Sequence, residues 1–134
     1  MSVHDDAGGR IRRPRVVIVD DEPEVAGVLA RASLANGFDP VVVTNGRDLI
    51  ALVEQEPPDV IVLDIVMPGM EGNEILIALR RAGPLPKVIL ITGYGEAFLG
   101  PPSILAGDAL VGTLLKPFRD AELGAMLRRA VGHE

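Results

Sequence analysis

Three carboxylates, a hydroxyl and an amine each stand at the end of a short aliphatic run. Asp20 and Asp21 close "RVVIVDD", Asp64 closes "DVIVLD", Thr92 closes "KVILIT", and Lys116 follows "ALVGTLL". Two adjacent like charges at a strand's end cost free energy through mutual repulsion unless a cation or a proton shares the site. Three converging carboxylates form a hard, oxygen-rich donor set suited to Mg²⁺, an ion that keeps part of its water shell and often sits beside a phosphate. A threonine hydroxyl and a lysine ammonium nearby supply what phosphoryl oxygens need, a hydrogen bond and positive charge.

That chemistry requires the runs to be neighbouring strands of one sheet. Residues 15–20, 39–44, 59–64, 87–92 and 109–115 have the length and residue types of buried strands and lack the alternation of a half-exposed sheet. Helical spacing separates them. Val25, Val28, Leu29 and Ala32 share one stripe that "NGF" at 36–38 ends, with glycine at the usual terminating position. A second helix runs from about Asn45 to Gln55 and stops before Pro57 and Pro58. A third carries Ile75, Ala78, Leu79 and Ala82 and closes at "GPLP". The last carries Leu123, Met126, Leu127, Ala130 and Val131, with Asp120 as its expected cap. Between Gly93 and Asp108 glycines and prolines crowd the chain, so the helix expected there is weak.

Strand and helix alternation of this kind predicts an α/β, doubly wound fold, a five-stranded parallel sheet with helices on both faces and right-handed crossovers. In such a sheet ligands bind outside the carboxyl ends of the strands. Asp20, Asp21, Asp64, Thr92 and Lys116 are therefore expected at one edge.

Composition narrows the possibilities. With 134 residues the chain suits one domain: a flexible tail over 1–14 and a folded domain over 15–131. No apolar run approaches the ~18 residues that span a bilayer, and the first residues lack the apolar core of a signal peptide, so a soluble, cytoplasmic protein without membrane insertion is expected. Zero cysteines exclude disulfides and thiolate metal sites. A formal net charge of −6 disfavours nucleic-acid binding, and "RIRRPR" at 10–15 reads as a solvated flank. "GYGEAFLG" has the wrong place and spacing for a dinucleotide fingerprint, and no Walker A sequence exists.

The blocks "VDDEP", "VLDIVMPGMEG", "ITGYGE" and "LLKPF", in this order over residues 15–131, resemble the receiver domain of two-component response regulators. The resemblance implies a flavodoxin-like sheet of strand order 2-1-3-4-5. It implies that Asp64 accepts a phosphoryl group from a phosphohistidine on a sensor histidine kinase or histidine phosphotransfer protein. Asp21, Asp64 and the Val66 carbonyl would bind Mg²⁺, with Asp20 acting through water, and Thr92 and Lys116 would contact the phosphoryl oxygens. Pro117 matches the family's cis peptide after the lysine. The position three before the lysine, usually an aromatic switch, is Thr113, and Tyr94 is the aromatic expected to take over signal relay. Val66 and Tyr94 also flank the water approach to the acceptor, which implies slow loss of the phosphoryl group.

The expected function is thus a stand-alone receiver that catalyses only its own phosphorylation and dephosphorylation, turns over no external substrate, and signals to a downstream protein by contact. Two alternatives stand beside it. One is a pseudo-receiver that binds partners without phosphorylation, against which the complete acid, threonine and lysine set argues. The other is a small phosphohydrolase with Asp64 as transient nucleophile; that class places a second acid two residues after the nucleophile, where this chain has Val66.

Overall fold

The computed structural model describes residues 4–5, 11–65, 72–93 and 106–132. Five parallel strands form its sheet: β1 (Arg15–Val19), β2 (Asp39–Val43), β3 (Val60–Asp64), β4 (Lys87–Thr92) and β5 (Leu110–Leu115). Their spatial order is β2-β1-β3-β4-β5, and every neighbouring pair is parallel. The described helices packed on the sheet are α1 (Pro23–Ala35), α2 (Gly46–Gln55), α3 (Gly72–Ala82) and α4 (Asp120–Ala130).

Period-two alternation splits the central strands between two cores. Val17, Val19, Ile61, Leu63, Val88 and Leu90 join α2 and α3 on one face. Val16, Ile18, Val60, Val62, Ile89 and Ile91 join α1 and α4 on the other. A strand covered on both faces needs no polar side, which is why β1, β3 and β4 read as unbroken aliphatic runs. β2 and β5 differ from that expectation. They are the sheet's edges, and their side chains are mostly only half-buried. Pro40, in β2, lacks an N–H that a central strand would use on its second side, and an edge tolerates that loss.

Local signals fix the helix ends. Asn45 Oδ1 accepts the Asp48 N–H at 2.8 Å, capping α2. Gly37 takes φ 83° just after α1, a conformation costly for any residue with a Cβ. At α4 the capping residue is Arg119 rather than the expected Asp120, which is already the first helical residue; the Glu122 carboxylate accepts the Arg119 N–H at 2.9 Å. Ahead of β1, His4–Asp5 and Ile11–Arg12 pair antiparallel, and the Pro14 carbonyl accepts the Asp39 N–H at 2.8 Å. The weak helix expected between Gly93 and Asp108 falls largely outside the described residues; a 3₁₀ turn, Gly107–Ala109, leads into β5.

Candidate functional site

The carboxyl ends of β1, β3 and β4 and the residue after β5 meet at one edge of the sheet. Asp20 and Thr92 are completely buried, and Asp64 is 4% exposed. The ammonium of Lys116 lies 3.2 Å from Asp64 Oδ2 and 3.5 Å from Asp20 Oδ2. Four of the five predicted side chains are thereby placed together, and the fifth, Asp21, belongs to the same group. Carboxylate oxygens of Asp20, Asp21, Glu22 and Asp64 all lie within 4.8 Å of one another. Val66 and Tyr94 lie outside the described residues.

Backbone geometry aims the lysine. Its N–H donates to the Thr92 carbonyl at 2.8 Å, continuing the β4–β5 ladder past the last residue of β5, and the Lys116–Pro117 peptide is cis, as the resemblance implied. Across the site, the two oxygens of Asp20 have different tasks. Oδ1 accepts the Glu22 N–H at 2.9 Å and shapes the entry to α1 as a turn-forming carboxylate. Oδ2 is buried and has no hydrogen-bond partner. Its contact with Lys116 is an ion pair without hydrogen-bond geometry.

The electrostatics follow from burial and proximity. Burial raises the pKa of Asp20 above its ordinary 3.8, the Glu22 backbone hydrogen bond works against this, and the neighbouring Asp64 charge adds to it. For Lys116 burial works to lower the pKa, but hydrogen bonds to Glu22 and Asp64 and the charges of Asp64 and Asp20 outweigh it and hold the ammonium charged well above its usual range. A cluster of four carboxylates containing a buried oxygen without a hydrogen-bond partner fits a hard divalent cation such as Mg²⁺.

Glu22 is the site residue that sequence reasoning passed over. Its Oε1 is 2.8 Å from Lys116 Nζ, closer than either aspartate. The available signal was the third acid in "DDEP", which reads equally well as the residue before a helix-starting proline.

A group of acids facing an ammonium, at the carboxyl edge of a five-stranded parallel sheet of order β2-β1-β3-β4-β5, is the arrangement of a receiver fold. Comparison with known proteins agrees: the response regulator receiver domain profile matches residues 16–128, and the chain belongs to that family. Among curated relatives, it is 37% identical over 122 residues to the transcriptional regulatory protein TcrA of Mycobacterium tuberculosis, covering 91% of this chain and 47% of that protein. It is 34% identical over 118 residues to the DNA-binding response regulator MtrA of Mycolicibacterium smegmatis, covering 87% of this chain and 50% of the relative. The chain thus spans about half the length of these relatives. Among solved structures it resembles the signal receiver domain of a LuxO repressor protein from Vibrio parahaemolyticus, with a TM-score of 0.80, 28% identity and coverage of 90% and 91% of the two chains. The chemotaxis response regulator CheY4 of Vibrio cholerae shares the fold with a TM-score of 0.78, at 24% identity over 89% of this chain and 99% of that one. Among the described residues no helix is long and apolar enough to cross a membrane.

Proposed function

We propose that this chain is a phosphorylatable switch in which Asp64 takes a phosphoryl group from a phosphohistidine on a sensor histidine kinase or histidine phosphotransfer protein in the cytoplasm. The observation that carries the reading is the placement of Lys116 Nζ 3.2 Å from Asp64 Oδ2, inside a four-carboxylate group and beside the end of β4. Transfer breaks the phosphorus–nitrogen bond of the donor and forms a phosphorus–oxygen bond to an Asp64 oxygen, with the histidine ring as leaving group. A carboxylate can act as such a nucleophile when the charge of the incoming group is offset. Asp20, Asp21 and Asp64, with the Val66 carbonyl, would hold Mg²⁺, which supplies part of that charge. Lys116 supplies the rest, and the Thr92 hydroxyl orients a phosphoryl oxygen.

Output is proposed to pass through protein contact. Leu115 is 51% exposed and adjoins Lys116, so a shift of the lysine alters an apolar surface next to it. The DNA binding named for MtrA belongs to a relative twice as long as the matched segment, and the acidic balance of this chain gives no basis for transferring it.

Incubation with acetyl phosphate and Mg²⁺ tests the reading. The expected product carries one added phosphoryl group at Asp64, absent in Asp64→Asn and in excess chelator. Equal labelling of the variant, or labelling without divalent cation, rules out this acceptor.

A further inference from the structure

Lys116 hydrogen-bonds two acids, Glu22 and Asp64, and forms a longer ion pair with a third, Asp20. Nζ lies 2.8 Å from Glu22 Oε1, 3.2 Å from Asp64 Oδ2 and 3.5 Å from Asp20 Oδ2. Its shortest contact is therefore to a side chain that neither accepts the phosphoryl group in the reading above nor was expected to bind the cation. Glu22 is not there by chance of a loose rotamer alone. Its N–H is held by Asp20 Oδ1 at 2.9 Å, and Pro23 follows as the first residue of α1, so the backbone that carries the carboxylate is fixed from both sides.

We propose that Glu22 is a positioning residue that restrains Lys116 and slows phosphoryl acceptance. The inference rests on the phosphorylation reading above. To follow an incoming phosphoryl oxygen, the ammonium must lose its contact with Glu22. The Glu22 side chain is 58% exposed, so water and salt weaken its hold, and the restraint is modest. An exposed ion pair of this kind corresponds to a change of roughly two- to fivefold in rate.

The same carboxylate is also within reach of a cation, because it belongs to the four-acid group. The two roles separate experimentally. A restraint on Lys116 limits the rate at saturating Mg²⁺. A cation ligand changes the Mg²⁺ concentration needed for half the maximal rate and leaves the maximum unraised.

The test compares Glu22→Gln and Glu22→Ala with Glu24→Gln, which removes the same charge from an exposed position two residues further on. Labelling rates are measured by mass with acetyl phosphate across a Mg²⁺ titration. Both Glu22 variants should label roughly two- to fivefold faster at saturating Mg²⁺, while Glu24→Gln matches the parent. Equal rates in all variants, a slower Glu22→Gln, an equal gain in Glu24→Gln, or a change confined to the Mg²⁺ requirement would each overturn the proposal. A second readout does not depend on phosphorylation: ¹⁵N-detected hydrogen exchange of the Lys116 ammonium should quicken in Glu22→Gln and not in Glu24→Gln. If the parent protein takes no label, the phosphorylation reading fails, and an unchanged ammonium exchange rate separately removes the restraint.

Discussion

Lys116 and Asp64, 52 residues apart in the chain, meet with Nζ 3.2 Å from Oδ2 at the carboxyl edge of the sheet. The ammonium faces two buried aspartates, Asp20 and Asp64. Removing one partner of such a group leaves uncompensated charge in a place where water reaches poorly.

Lys116→Met should therefore lower stability in chelator, by about 1–3 kcal/mol, below the full penalty for a buried pair because the lysine remains partly open to solvent. Mg²⁺ should then raise the melting temperature of the variant more than that of the parent, because the ion takes over the lost positive charge. Thermal unfolding with and without Mg²⁺ decides this. A variant as stable as the parent in chelator would show that the aspartates do not depend on the lysine.

Asp20 gives the opposite sign. Its folded pKa is raised by burial and by Asp64, so between the ordinary value of 3.8 and the folded value the native state holds a proton that the unfolded chain has released. The stability contributed by that proton is fully present below the unfolded pKa and is lost as pH rises through the folded one. Asp20→Asn removes the titration, keeps an oxygen for the Glu22 N–H, and places an amide donor near Asp64. In excess chelator near neutral pH the variant should melt higher than the parent and lose less stability as pH rises from the acid range, while its Mg²⁺ response weakens. A lower melting temperature together with an unchanged Mg²⁺ response would assign Asp20 a purely turn-forming role.

Most of this geometry was legible in the sequence because buried parallel strands leave a continuous signature. Residues 60–64 and 88–92 are apolar up to a final polar residue, and the position of that residue at the carboxyl end predicts where Asp64 and Thr92 emerge. The limits of legibility have equally physical causes. Edge and central strands use the same β-branched residues, so the half-burial of β2 and β5 depends on sheet order and not on composition. Asp120 resembles a cap in type, but the Glu122 carboxylate closes on the Arg119 N–H and sets the helix start one residue earlier. The Glu22–Lys116 contact joins residues 94 positions apart through a rotamer choice, which no local pattern encodes.

Thr92 permits a sharper division between packing and chemistry. Its side chain is fully buried at the end of β4, and its backbone carbonyl accepts the Lys116 N–H whatever side chain it carries. Thr92→Val keeps the branched shape that suits a strand and removes only the hydroxyl; Thr92→Ser keeps the hydroxyl and removes a methyl group worth about 0.8 kcal/mol of burial. If the hydroxyl orients a phosphoryl oxygen, Thr92→Val should label with acetyl phosphate about tenfold or more slowly, equivalent to about 1.4 kcal/mol in the barrier, and Thr92→Ser should remain near the parent rate. Their stabilities should rank the other way, with the serine variant melting lower. Rates and melting temperatures measured on the same preparations separate the two effects. Equal labelling of parent and Thr92→Val would show that Thr92 serves the strand alone, and that Lys116 and the bound cation carry the charge stabilisation without it.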